Sequence, residues 1–246
     1  SPTNTAVVSG IGCSSRLPYY TSGYGFHTIH GRGAAIATGV KVANPELSVW
    51  QITGDGDCLA IGGNHFIHSV RRNIDINVLL FNNQIYGLTK GQFSPTSKKG
   101  WVTKSSPYGT VEQPFRPGEL TIGARGNFFG RLLDVDLKSS QMTMLAAARH
   151  KGTSIVECLV NCIIFNDGAH GYLAEKASRE DRVIVLEHDK KMIFGKERNK
   201  GLVLDGLKLN VVTIGENGIT EDDILTHDAT TPNPALHLML VHMEAP

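Results

Sequence analysis

"ITGDGDCLAIGGNH", residues 52–65, places an aspartate between two glycines at the end of an apolar run. The run reads as a strand and the residues after it as a helix, so Asp55 falls where the chain passes from one to the other. Gly54 and Gly56 carry no Cβ, and the backbone there can turn sharply and lie close to a ligand. A carboxylate in such a turn suits a hard cation such as Mg²⁺, and the helix N-terminus that follows suits a phosphate. Together these features suggest a metal–diphosphate clamp. The structural alternative is an aspartate that merely caps a helix.

Working outward, short runs rich in β-branched residues occur at 5–10 (TAVVSG), 47–53 (LSVWQIT), 76–83 (INVLLFNN), 130–136 (GRLLDVD) and 153–160 (TSIVECLV). Helix-compatible stretches separate them at 31–44, 59–73 and 138–152, the last with Ser139 or Ser140 as N-cap and Gly152 as stop. Continuous apolar strands alternating with helices predict an α/β fold with a doubly wound, mostly parallel sheet covered on both faces. Ligands of such sheets sit at the carboxyl ends of the strands, where Asp55 and the "NN" of 82–83 both fall. One helix and one strand separate GDG from NN, so a single crossover sets the two strand ends side by side. Asp55 and Asn83 can then reach one ion, with a backbone carbonyl just beyond as a third oxygen.

The stretch from about 88 to 120 is polar and rich in Pro, Gly, Lys and Ser. A loop this long that starts at a ligand-bearing strand end is expected to be functional. Beyond 168 the pattern weakens, with a strand at 207–215 and an apolar segment at 235–240. The expected organisation is a cofactor domain over 1–168 and a C-terminal arm over 169–246. The chain begins at Ser1 and enters an apolar strand almost at once, so its natural N-terminal part is expected to be missing.

Hydrophobic residues make up 41% of the 246, enough for a real core, and the net charge of +1 gives no reason to expect nucleic acid or an anionic membrane as partner. No apolar stretch reaches the roughly 18 residues of a membrane span. No signal peptide is visible. A cytoplasmic location is expected. The four cysteines, Cys13, Cys58, Cys158 and Cys162, do not suggest a disulfide framework in this setting. Cys158 and Cys162 are four apart, outside the C-x-x-C pattern of zinc and redox sites.

GDG, some twenty-five residues and NN make the thiamine diphosphate motif. The words around it, "GIGCSS", "HTIHGRG", "GDGD…IGGNH", "RRNIDINVLLFNNQIYGLTKGQFSPTS" and "TKSSPYG", resemble the β subunit of 2-oxoacid:ferredoxin oxidoreductases over residues 6–168. "YGLTKGQFSPTS" (86–97) is most similar to the 2-oxoglutarate enzymes. The resemblance implies a thiamine diphosphate-binding fold in which Asp55, Asn83 and the carbonyl of Ile85 bind Mg²⁺. Gly56 and Asp57, with His30 and the turn Ile11, Gly12, Cys13 and Ser14, would hold the diphosphate cofactor. Gly87 and Leu88 would line the same pocket. Arg16 would hold the substrate carboxylate, a role that suits a guanidinium fork, and Arg16 and Leu88 would be the residues nearest the reaction.

The implied activity is oxidative decarboxylation of a 2-oxoacid, with the acyl group passed to coenzyme A. Electrons would leave singly through a [4Fe–4S] cluster to ferredoxin. Cys13 and Cys162 match two of the four cluster cysteines. The other two, a C-x-x-C pair near the family's N-terminus, are absent from this chain. No glutamate sits in a motif suited to the aminopyrimidine ring, so an α subunit is expected to complete the active site. The rival readings are a thiamine enzyme without ferredoxin, a pyruvate- or branched-chain-specific member, a dinucleotide site at "GRGAAIA" (31–37) with no clear strand before it, and a non-catalytic assembly subunit.

Overall fold

In the computed structural model, which describes residues 1–243, the β-branched runs become the strands of one six-stranded sheet. The chain divides into two units, Ser1–His170 and Gly171–Pro246. The first opens with β1 (Thr5–Ser9), a 3-10 helix over Cys13–Tyr20, β2 (Tyr24–His27), α1 (Gly33–Ala43), β3 (Ser48–Gly54) and α2 (Asp55–Leu59). It continues through α3 (Gly63–Arg71), β4 (Asn77–Asn82), the two-residue strands β5 (Ile85–Tyr86) and β6 (Gln92–Phe93), and α4 (Pro117–Gly123). It closes with β7 (Phe129–Leu133), α5 (Leu137–Arg149) and β8 (Ser154–Leu159).

The strand order is β2-β1-β3-β4-β8-β7, and every neighbouring pair is parallel. Successive side chains of a strand point to opposite faces, and both faces here are apolar. Val8, Leu80 and Ile155 pack with Ala37 of α1, Phe66 and Val70 of α3 and the helix-end residue Ala124, while Val7, Leu79 and Val156 pack with Ala147 of α5. Each fully buried side chain of this size contributes roughly 1.5–3 kcal/mol. The sheet is therefore doubly wound, and its continuous apolar strands follow from burial on both sides.

Four local expectations are corrected. β2 was not visible in the sequence because all four of its residues are exposed at the sheet edge, so no apolar pattern marks it. It is also the strand that precedes "GRGAAIA", where the sequence pattern shows none. The stretch 59–73 is not one helix: α2 already begins at Asp55, and the chain breaks at 60–62 before α3. α5 is capped by Asp136 rather than by Ser139 or Ser140. Its carboxylate accepts from the Ser139 amide at 3.2 Å and the Ser139 hydroxyl at 2.8 Å, which makes Ser139 the third residue of the helix. The polar stretch 88–120 is not wholly loop: it contains β6, begins α4 and buries Ser94, Thr96 and Ser97.

The second unit comprises α6 (Gly171–Ala174), α7 (Arg179–Arg182), β9 (Ile193–Phe194), β10 (Lys200–Asp205), β11 (Lys208–Thr213) and α8 (Ala235–His242). β9, β10 and β11 form an antiparallel sheet with β10 in the middle. Met192, Leu202 and Ile224 are buried at its centre, with Val212 and the α8 residues Leu236 and Leu240 against them. The segment expected as an arm thus has a core of its own, and the expected strand at 207–215 is β11.

Candidate functional site

β3 and β4 run side by side with Gly54 opposite Phe81, so the GDG turn and the NN pair leave the same end of the sheet. Asp55 opens α2 and is buried. Its Oδ2 accepts hydrogen bonds from Ser94 Oγ at 2.5 Å and Thr96 Oγ1 at 2.6 Å. Burial pushes the Asp55 carboxyl up to about 6, against the Ser94 and Thr96 hydroxyls and the Gly56 amide, which favour the charged form.

The two asparagines at the end of β4, Asn82 within it and Asn83 just beyond, have different work. Asn82 is buried and both ends of its amide have partners: Nδ2 donates to Glu157 Oε1 at 2.7 Å, and Oδ1 faces Thr96 Oγ1 at 2.9 Å and the Gln84 amide at 3.2 Å. Its carbonyl accepts from His170 Nε2 at 3.0 Å. Asn83 begins a tight turn. Gln84 takes a φ of +58°, and Asn83 Oδ1 accepts from the Ile85 amide at 3.1 Å. Asn166 Nδ2 donates to the Asn83 carbonyl at 2.8 Å and ties this turn to the segment after β8.

Asp57 is an organiser rather than an open ligand. Its Oδ1 accepts from the Ile11 amide at 3.1 Å, the Gly31 amide at 2.7 Å and His30 Nδ1 at 2.9 Å, and its Oδ2 from Thr53 Oγ1 at 2.6 Å. One buried carboxylate thereby pins the turn after β1, the "HGRG" turn and the end of β3 together. A Cβ on Gly10 would strike this carboxylate, and a Cβ on Gly56 would strike the Tyr86 ring, whose hydroxyl donates to the Gly56 carbonyl at 3.1 Å. Above Gly54 there is room: a Cβ there would lie 3.9 Å from both Ser14 Oγ and the Phe81 carbonyl, with nothing closer. That space, between the Gly12–Ser14 turn and the ends of β3 and β4, is where the GDG turn faces outward.

Cys13 and Cys162 border one point of the fold. A Cβ on Gly87 would lie 3.4 Å from Cys162 Sγ, 3.6 Å from Cys13 Sγ and 3.9 Å from Asn83 Nδ2. Cys13 is exposed and Cys162 half-buried, whereas Cys58 and Cys158 lie in the two apolar cores. The contacts of Arg16 are with its own helix: its Nε donates to the Tyr20 hydroxyl at 3.2 Å and its guanidinium lies 6.0 Å from the Tyr19 and Tyr20 ring centres. Leu88 is exposed and Ile85 buried.

The oxygen donors of Asp55, Asn83 and the Ile85 backbone fit Mg²⁺, which takes oxygen ligands and completes its shell with phosphate and water. A four-thiolate cluster does not fit this chain by itself, since two thiols border Gly87 and the other two are in the cores. Among the described residues no group of three or more His, Cys, Asp or Glu is placed to hold a metal. Ser94, Thr96, Tyr86, Glu157, Asn166 and His170 were not foreseen as site residues. The "SPTS" that carries Ser94 and Thr96 has no spacing to mark it, only its place in the loop expected to be functional and in the stretch 86–97 that carries the family resemblance.

Residues 10–158 match the family of thiamine pyrophosphate enzymes, C-terminal TPP binding domain. The chain is 51% identical over 232 residues to 2-oxoglutarate oxidoreductase subunit KorB of Mycobacterium tuberculosis, covering 94% of this chain and 61% of that protein. It is 48% identical over 158 residues to 2-oxoglutarate synthase subunit KorB of Archaeoglobus fulgidus, covering 64% of this chain and 59% of that one. Among solved structures it resembles a 2-oxoglutarate:ferredoxin oxidoreductase from Magnetococcus marinus with 2-oxoglutarate, coenzyme A and succinyl-CoA bound. That likeness has a TM-score of 0.67 at 39% identity, over 69% of this chain and 58% of the other. The chain thus spans about three-fifths of the length of the curated relatives it matches.

Proposed function

The chain belongs to the thiamine pyrophosphate enzymes, by the C-terminal TPP binding domain that residues 10–158 match, and from that premise we propose that it is the thiamine diphosphate-binding β subunit of a 2-oxoacid:ferredoxin oxidoreductase that acts on 2-oxoglutarate. The reaction is oxidative decarboxylation to the acyl-coenzyme A, with electrons passed singly to ferredoxin. Asp55, Asn83 and the Ile85 carbonyl hold Mg²⁺. The Gly12–Ser14 turn, His30, Gly56 and Gly87 line the diphosphate cofactor, and Asp57 keeps the turns around it in place. When bound, thiamine diphosphate supplies the carbon nucleophile and the electron sink. Arg16 is the candidate for the substrate carboxylate, and an α subunit completes the site.

One observation carries the ferredoxin-linked reading over other thiamine enzymes: Cys13 and Cys162 both border Gly87, beside Asn83. Two thiols at the edge of the metal turn suit half of an iron–sulfur carrier, and a simple decarboxylase has no use for them. A cytoplasmic location belongs to the same reading, supported by four free cysteines. No described helix is long and apolar enough to cross a membrane.

The test is calorimetric binding of thiamine diphosphate with and without Mg²⁺, on the complex the chain forms when expressed. It is followed by ferredoxin reduction with 2-oxoglutarate and coenzyme A. Metal-dependent saturation and 2-oxoglutarate-dependent reduction support the proposal. Absence of binding refutes it and moves the chain to an assembly role.

A further inference from the structure

We infer that Glu157 is a positioning residue for the metal-binding turns, acting through the orientation it imposes on the Asn82 amide. This rests on the proposed function, because it concerns how Asp55 and Asn83 are held for Mg²⁺.

Glu157 lies in the middle of β8, opposite Leu80 of β4 and Arg131 of β7. Its side chain is 2% exposed, among the most buried in the chain. Oε2 accepts from Arg131 Nε at 2.7 Å and Oε1 from Asn82 Nδ2 at 2.7 Å. Only the carboxylate end of this pair is buried, since the Arg131 side chain is 34% exposed and reaches solvent without it, so the pair is weak evidence of a stabilising role. Every other residue of β8 is buried too, and the neighbours Ile155 and Leu80 on this face are apolar. A leucine would suit the packing. It could not accept a hydrogen bond from Asn82.

That bond has a directional consequence. An asparagine amide can present either its nitrogen or its oxygen to a given side. With the carboxylate of Glu157 on one side, the nitrogen must face it, so Oδ1 faces the other way. There it meets Thr96 Oγ1 at 2.9 Å and the Gln84 amide at 3.2 Å. Thr96 Oγ1 is in turn 2.6 Å from Asp55 Oδ2. Gln84 is the positive-φ residue of the turn that presents Asn83 and the Ile85 carbonyl. One amide, oriented by one carboxylate, thus bonds the Asn83 turn directly through the Gln84 amide and reaches Asp55 through the Thr96 hydroxyl, whose single proton Asn82 Oδ1 and Asp55 Oδ2 share. Flipping it would set the Asn82 amide hydrogens against the Gln84 amide.

Such supports behind metal ligands are worth about 10–100-fold in metal affinity. The experiment is a Mg²⁺ titration at saturating thiamine diphosphate, read by calorimetry, on the wild-type complex and on Glu157→Leu, Glu157→Gln and Thr96→Val. A thermal midpoint without either ligand is recorded for each. We expect Glu157→Leu to need about 10–100-fold more Mg²⁺, with Glu157→Gln between, since its amide oxygen can still accept from Asn82. A purely structural role would lower the thermal midpoint and leave the Mg²⁺ requirement alone.

An unchanged Mg²⁺ requirement in a folded Glu157→Leu protein overturns the inference. Should that variant not fold, Thr96→Val decides. It leaves the Arg131–Glu157 pair intact and cuts the chain one link nearer Asp55, and a wild-type requirement there overturns the inference equally. A wild-type complex that binds no thiamine diphosphate sinks the proposed function itself; one that binds while all variants match it sinks this inference alone.

Discussion

Ser94 Oγ lies 2.5 Å from Asp55 Oδ2, 39 positions away in sequence. A hydroxyl from the polar stretch after β6 therefore supports the carboxylate of the GDG turn from inside the protein. Hydrogen bonds to charged groups contribute roughly 1.5–3 kcal/mol. Ser94→Ala is expected to lower unfolding free energy by about 1–3 kcal/mol in urea denaturation at neutral pH. A loss below about 0.5 kcal/mol would show that Thr96 alone suffices.

Asp55→Asn keeps the side chain's shape and one acceptor oxygen but removes the charge that a divalent cation needs. The variant should fold, by circular dichroism, and show no Mg²⁺-dependent thiamine diphosphate binding. Retained metal-dependent binding would remove Asp55 from the proposed ligand set.

Gly56 has no room for a side chain because the Tyr86 ring covers it. Gly56→Ala should cost about 1–3 kcal/mol by overpacking. Adding Tyr86→Ala should return part of that loss, giving a coupling energy above about 0.5 kcal/mol in a double-mutant cycle. Additive losses would mean that the two residues do not press on each other.

Burial lowers the pKa of His150, His170 and His227, so each is held neutral in the fold. For His170, the Asn82 carbonyl and the Glu157 charge oppose burial, while the Arg131 and Lys98 charges add to it. A histidine with a depressed folded pKa contributes stability above its unfolded pKa of about 6.5, and that contribution fades as pH falls below it. Stability should therefore drop between about pH 6.5 and 5. His170→Gln, which keeps an N–H donor and does not titrate, should shallow that slope. An identical slope would clear His170 of any part in it.

The four thiols should divide in two. Burial pushes the Cys58 thiol far up and the Cys158 thiol up to about 12, whereas Cys13 is exposed and Cys162 half-buried. Thiolates are the reactive form. An alkylating reagent at pH 8 should label Cys13 and Cys162 in the native chain and reach Cys58 and Cys158 only after denaturation, as peptide mass mapping would report. Native labelling of Cys158 would contradict the packing described.

Much of the frame was legible because its signals are local. The runs at 5–10, 47–53, 76–83 and 153–160 are mostly apolar and rich in β-branched residues, since their strands are covered on both faces. The exposed edge strand β2 lacks that cover and so lacked the signal. The N-cap of α5 was misjudged because Asp136 and two serines compete within five residues, and only the helix start decides among them.

The two aspartates of "GDGD" show where local reading ends. Asp55 and Asp57 are two residues apart at the start of a helix, so their side chains leave it about 200° apart. Sequence marks both as ligands; in the fold Asp57 turns inward to four donors while Asp55 sits at the sheet end with Ser94 and Thr96.

By itself the sequence determined the doubly wound sheet, the thiamine diphosphate motif and the neighbouring of Asp55 and Asn83, because strand periodicity and a single crossover are short-range properties of the chain. Tertiary structure alone decided that Ser94, Thr96, Glu157, Asn166 and His170 complete the region, and that Cys13 and Cys162 both border Gly87. Those partners come from segments far apart in the chain. No period or spacing encodes a contact between them, and only the packing of the sheet with its loops brings a given donor within reach of a given acceptor.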